Sequence, residues 1–388
     1  MKFVEVDKHR KEPILAILIL GCVMGIFAFR MGLSNMFKTL MSTAHDLLLN
    51  TCFYIMGVSV LAGGLSGLLS EFGVVNFINK PIEKVTKPLY DLPGVASLGI
   101  LTTYLSDNPA IITLAENKSF VKYFKKYQLP AITNLGTAFG MGLIVSTYMM
   151  ALSPKGNSFL PAILVGNIGA VFGSVVSVRL MLRQTKKIFG TEECVQVSEM
   201  GTGSFDMEKI RTIRDGNVMQ RFIEALLDGG KVGVTLGLDI IPGVVIITTA
   251  VLLLTNGAGP DGEFTGALGE GIGVLPLLGE KLNFLIKPLL GFSNPESIAF
   301  PITALGSVGA ALGTVPSLMS KGIIQPHDIA VFTAMGMCWS GYLSTHIAMM
   351  DALNLRKLTN KAIISHTVGG LCAGIFANYL YQLVDLFI

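Results

Sequence analysis

Lys87-Pro88-Leu89 and Lys287-Pro288-Leu289 stand two hundred residues apart, and each opens the same run of segments. A short apolar stretch rich in Gly, Ser and Thr follows each, residues 93–116 in the first copy and 295–321 in the second. Next comes a long apolar span carrying Ser146-Thr147-Tyr148 or Ser344-Thr345-His346. The last span of each copy carries Gly169-Ala170 or Gly369-Gly370. The C-terminal half therefore repeats the N-terminal half.

Composition identifies the solvent. Hydrophobic residues make up 51% of the chain, charged residues only 14%, and the mean hydropathy is +0.62. Crossing a bilayer as a helix takes about 20 apolar residues. Stretches near 13–30, 52–70, 128–152, 159–183, 231–256, 327–352 and 361–388 approach or exceed that length. The expectation is an all-α polytopic membrane protein in the plasma membrane. Net charge is +3, without a basic face for nucleic acid. Cys22, Cys52, Cys338 and Cys372 fall in apolar spans and Cys194 in a polar loop. Their spacing suggests neither a metal site nor a disulfide framework, so they read as small apolar fillers.

Orientation follows from the placement of Lys and Arg. Lys2, Lys8, Arg10 and Lys11 predict a cytoplasmic N-terminus. After two crossings, residues 72–92 return to that side as an interfacial helix bearing Lys80, Lys84 and Lys87. If residues 93–116 crossed, Lys118, Lys122, Lys125 and Lys126 would lie outside; a re-entrant hairpin keeps them inside. In the second copy the corresponding loop carries only Lys321, and residues 257–292 are acidic with Asp261, Glu263, Glu270 and Glu280. That exchange of charge predicts an inverted second copy, with its hairpin entering from outside and the C-terminus outside. The parts are then residues 1–50, an N-terminal transmembrane and amphipathic segment; 51–183, the first repeat; 184–218, a polar cytoplasmic linker; and 219–388, the inverted second repeat. Helix is expected in the linker near residues 207–214.

Two re-entrant helical hairpins in an inverted repeat predict a secondary transporter, with its substrate where the halves meet. In the first hairpin Asn108-Pro109 is a helix-start pattern, placing a free N-terminus beside Ser106 and Asp107 at the tip. Such an end binds acceptor groups, and Asp107 can take a cation or a substrate donor. A capping role for the three residues is the bland alternative. The second hairpin breaks at Gly306-Ser307-Val308-Gly309 and offers Ser307 and backbone groups; close helix packing explains the same glycines. Beyond the hairpins, Asn134 and Thr137 lie one turn apart, and Ser340, Ser344, Thr345 and His346 form the matching set. Hydroxyls in such helices often bond only their own backbone. Asp239 precedes Pro242, whose kink would free carbonyls for a cation. The substrate candidates are Ser106, Asp107, Asn108, Asn134, Thr137, Ser307, Ser344, Thr345 and His346, and the cation candidates Asp107, Asp239, Ser307 and Thr345. Sparse ionisable groups and many neutral oxygens favour Na⁺ as the coupling ion over H⁺. No other cofactor is expected.

Asp228-Gly229-Gly230 before an apolar span, then Ile286-Lys287-Pro288-Leu289 and a Pro-led hairpin, resembles the nucleoside-recognition or "Gate" domain membrane proteins. The pattern is also similar to a fusion of spore-maturation proteins A and B, and more widely to concentrative nucleoside transporters. The resemblance covers about the whole chain and implies an elevator-like carrier binding substrate between hairpin tips. The departures are specific. Asp107-Asn108 replaces the Glu-bearing tip of true nucleoside carriers, and their Asn-Glu-Phe sequence is absent. The expected function is cation-coupled transport of a small polar or anionic organic solute, nucleoside-like in one version, by a membrane protein that can self-associate. An ion or metal permease and a non-transporting sporulation accessory are the alternatives; an intramembrane enzyme is not expected.

Overall fold

The computed structural model describes residues 11–195 and 213–387. The predicted helix at residues 207–214 lies largely outside the described residues. The described residues are almost wholly helical, with one isolated bridge between Lys125 and Cys194. Among the described residues, five helices are long and apolar enough to cross a membrane. Large apolar side chains on their outer faces stay exposed, as Ile17 and Phe29 do on α1 (Glu12–Met31). In water those faces would be costly; in lipid they are matched. The chain is a multi-pass membrane protein.

Two of the described elements are nearly twice the length of a simple span. α2 runs 39 residues, Leu33–Glu71, through a π turn at Leu47–Cys52. The sequence boundary at residue 50 thus falls inside a continuous helix. After α2 come the amphipathic α3 (Val74–Tyr90) and the hairpin arms α4 (Ala96–Leu105) and α5 (Pro109–Glu116). The apolar stretch 128–152 is not one span: α6 (Ala131–Thr137) and α7 (Gly142–Ala151) are separated by a break. α8 (Leu160–Phe189) closes the first series and extends well into the segment read as linker.

The second half repeats this order. α9 runs 38 residues, Val218–Thr255, through a π turn at Gly243–Thr248. The turn follows Pro242, which lacks the N–H an α-helical ladder needs. α10 (Val274–Leu290) matches α3, and the arms α11 (Ala299–Gly306) and α12 (Val308–Ser320) form the second hairpin. α13 (Pro326–Cys338) and α14 (Ser344–Ala352) are again one apolar stretch broken in two, and α15 (Thr359–Asp385) matches α8.

The recurring Lys-Pro-Leu triplets close the C-termini of α3 and α10, where the last carbonyls lack partners within the helix. Arg179 on α8 donates to the carbonyls of Pro88 and Leu89 at 2.6 and 2.8 Å. Tyr379 on α15, again two hundred residues on, donates to Pro288 O at 2.9 Å, and Asn378 to Leu289 O at 3.0 Å. The repeat is therefore one of contacts as well as of sequence.

The halves meet along two antiparallel helix pairs. Glu71 lies beside Arg221 and Gly63 beside Gly229, so α2 and α9 run in opposite directions. A Cβ on Gly63 would stand 2.3 Å from Gly229 O, and one on Gly233 would stand 2.3 Å from Ser59 O. The backbones touch, which only small residues permit. α8 and α15 form the second pair, with Gly173 against Ala373 and Ser177 against Gly369. The main core fills the space between, including stacked Phe300 and Phe332 with centroids 4.3 Å apart.

Candidate functional site

The first hairpin turns at Ser106-Asp107-Asn108, and α5 starts at Pro109 as the Asn-Pro pattern predicts. The predicted side-chain cap is not made. Asn108 stays in helical conformation and its amide leaves the helix, donating to Ser340 Oγ and to Asp107 Oδ1, each at 2.9 Å. Ser106 Oγ donates to Thr102 O at 2.6 Å, closing the first arm.

Asn108 lies between the two helix breaks. In the break between α6 and α7, a Cβ on Gly140 would come 2.4 Å from Asn108 Oδ1. In the break between α13 and α14, Gly341 adopts φ +62°, and a Cβ there would come 2.2 Å from Thr345 Oγ1 and 2.7 Å from Asn108 Nδ2. A side chain at either place would displace the Asn108 side chain, and at Gly341 the left-handed backbone favours glycine as well. Asn108 Oδ1 is buried and has no hydrogen-bond partner. A buried acceptor without a partner costs about 1–3 kcal/mol unless a ligand or water satisfies it.

The other residues singled out in the sequence divide. Ser340 is buried at the tip, and Thr345 is buried beside Gly341. Ser344 is exposed. Asn134 belongs to a buried chain behind the breaks, donating to Ser177 Oγ and Ala362 O at 2.9 Å. Ser177 continues to His366 Nδ1 at 2.9 Å, and His366 Nε2 reaches the carbonyl of Cys338. Thr137 bonds the carbonyl of Thr133 in its own helix. His346 packs against His366 with centroids 4.7 Å apart, and its Nδ1 meets Tyr342 O at 2.5 Å. A carbonyl partner makes Nδ1 the donor, so Nε2 is left as a buried acceptor without a partner.

Ser307 stands elsewhere. It caps α12, accepting from Ala310 N at 3.3 Å, and lies against Gly243 at the π turn of α9. Thr248, within that turn, donates to Ala310 O at 2.7 Å. Tyr148 on α7 donates to Leu312 O at 3.2 Å, tying the first broken helix to the second hairpin. Asp239 is exposed on α9.

A cavity of about 230 Å³ adjoins the tip, with Leu105, Ser106 and Ile144 facing Ser59, Gly63 and Leu236. Arg214 and Asp228 line it too. The buried Glu71 accepts from Arg214 Nη1 at 2.8 Å and from Arg221 Nε at 2.7 Å. Sequence reading passed over this cluster. The available signal was an acid at the end of an apolar span, with arginines at the end of the linker.

No family model and no curated protein matches the chain. Solved structures do. CNTnw in an inward-facing, substrate-bound state superposes with a TM-score of 0.53 at 13% identity, over 96% of this chain and 87% of that one. A CNTnw variant in an outward-facing state gives 0.55 at 13%, over 97% and 88%. Another variant, in an intermediate state, gives 0.55 at 15% over the same shares. The fold is like that of these CNTnw structures. At this identity the likeness carries the fold alone, and the site rests on its own geometry. In this fold Asn108 links one hairpin to both helix breaks, so a molecule bound there would touch both halves of the chain.

Proposed function

We propose that the chain is a cation-coupled secondary carrier of a small, polar, nucleoside-like solute. The observation that carries this reading is Asn108, held between Gly140 and Gly341 with one oxygen unpaired. Asp107 beside it accepts from hydroxyl or amino groups of the substrate, and Ser340 and Thr345 supply hydroxyls. The unpaired Asn108 oxygen and the backbone at the break of α6 and α7 make a neutral oxygen environment suited to Na⁺, a hard cation. Antiparallel helix pairs around interrupted helices support alternating access by an elevator-like shift. Charge placement supports a cytoplasmic N-terminus in the plasma membrane. Kinship with Gate-domain and spore-maturation proteins rests on the Asp228-Gly229-Gly230 and Lys287-Pro288-Leu289 patterns.

Equilibrium binding of radiolabelled uridine and adenosine to purified protein tests the reading. Saturable binding that is lost in Asp107→Asn or Asn108→Ala is the expected result. Absence of binding by both nucleosides, with and without Na⁺, would remove nucleosides as the substrate class.

A further inference from the structure

A second polar cavity lies at the other end of the α2–α9 pair. Its volume is about 380 Å³, within the range of small-ligand sites. On α2 its wall spans residues 43–51, whereas the cavity beside the hairpin tip meets α2 at residues 59–67. Sixteen residues of helix separate their centres, about 24 Å along the axis. It is thus a different site from the one containing Asn108.

Three helices and the loop at Leu268-Gly269 build it. α2 supplies Thr43, Asp46 and Thr51, α9 supplies Asn256 just past its end, and the arm α12 supplies Ser317 and Ser320 with Lys321 following. Lys321 Nζ donates to Asn256 Oδ1, which fixes the orientation of that amide. Asn256 is only 2% exposed, and its Nδ2 donor has no partner. A buried amide donor without an acceptor is costly, and the cavity is the space in which one can be supplied. The cavity therefore offers a cationic group, an unused N–H donor and hydroxyls, with the Asp46 carboxylate, whose Oδ1 accepts from Asn50 Nδ2 at 2.7 Å, as a further acceptor. The nearby acid Glu270 is already engaged, accepting from Thr265 N at 2.9 Å, Thr265 Oγ1 at 2.7 Å and Gly266 N at 2.9 Å. Burial holds the Lys321 ammonium below its usual range, and Glu296 opposes that shift. An anion near Lys321 would oppose it further.

We infer that this cavity is a second ligand site, for a small solute that carries an anionic oxygen group, carboxylate or phosphate, and at least one hydrogen-bond donor. Lys321 and Asn256 Nδ2 take the anionic oxygens, and Asp46 takes the donor. The occupant would bridge arm α12 of the second hairpin to α2 and the end of α9, and so hold that hairpin in its present position.

Detergent-purified protein is titrated with inorganic phosphate and, separately, with glycolate at constant ionic strength, and thermal unfolding is followed. Saturable stabilisation by at least one probe is expected, as mass action requires of a ligand that binds the folded state. Lys321→Gln should weaken that response at least tenfold, while Asp107→Asn should leave it unchanged, because its site is elsewhere. Ser317→Ala, a milder change, should weaken it several-fold and serves if Lys321→Gln does not fold. An equal response to chloride, an unaltered response in the folded variants, or none at all would overturn the inference.

Discussion

Asn108 Nδ2 stands 2.9 Å from Ser340 Oγ, joining the tip of the first hairpin to the break in the second half across 232 positions of sequence. The bond is buried, and the same amide side chain has an oxygen without a partner. A purely structural contact would satisfy both ends. Asn108→Ala and Ser340→Ala should each reduce transport more than tenfold while costing about 1–3 kcal/mol of stability, because each leaves a buried partner unpaired. Uptake rates and thermal unfolding of the two single variants and the double variant check this. If stability and uptake fall in proportion, the contact serves folding alone.

Gly140→Ala tests the same contact by steric means. Its Cβ would come 2.4 Å from Asn108 Oδ1, so either the tip or the break must move. Loss of substrate binding with a retained fold is the expected outcome, and unchanged affinity would show that the tip can shift without consequence.

The glycine seam of α2 and α9 is predicted to be a matter of stability. Gly63→Ala places a methyl group 2.3 Å from a backbone carbonyl that has no rotamer to change. Overpacking of this kind costs about 1–3 kcal/mol. Thermal unfolding in detergent should fall measurably, whereas Gly57→Ala, which meets open space on the same helix, should not.

Acid should loosen the loop between α9 and α10. Burial raises the pKa of Glu270, but hydrogen bonds from Thr265, Gly266 and Ala267 outweigh it and leave the carboxyl below its usual range. A depressed folded pKa means that the group's stabilisation is present above the unfolded value of about 4.3 and is lost as pH falls through the folded value. Protection factors of amides in residues 257–273, corrected for the intrinsic exchange rate at each pH, should therefore fall on acidification below that range. Glu270→Gln should already exchange faster at pH 7 and respond less to acid. Equal acid responses in both proteins would rule out this linkage.

Much of the architecture was legible because local chemistry dictates it. Asn108-Pro109 starts a helix wherever it lies, and Gly306-Ser307 interrupts one, so both hairpins could be placed. The Lys-Pro-Leu triplets marked equivalent helices because Arg179 and Tyr379 close their ends at the same offset. The breaks at residues 138–141 and 339–343 have no local signal, because Ala138, Phe139, Met141 and Trp339 read as unbroken apolar span; only the resemblance to concentrative nucleoside transporters implies a partly unwound helix after each hairpin. The π turns were equally silent, apart from Pro242. Of the polar residues, those serving their own backbone, such as Thr137, cannot be told by spacing from those that reach across the fold. Asn134, Ser177 and His366 form a chain that no local pattern announces. The same holds for Glu71 with Arg221, separated by 150 positions.

Uptake into proteoliposomes under an imposed Na⁺ gradient at fixed pH tests the central claim most directly, with radiolabelled uridine and adenosine as solutes. Wild-type protein should accumulate solute only when Na⁺ is directed inward, and Asn108→Ala, reconstituted to the same density, should not. Accumulation driven by a pH gradient with no effect of Na⁺ would contradict the coupling and turn attention to His346. Gradient-driven uptake that survives intact in Asn108→Ala would contradict the site itself.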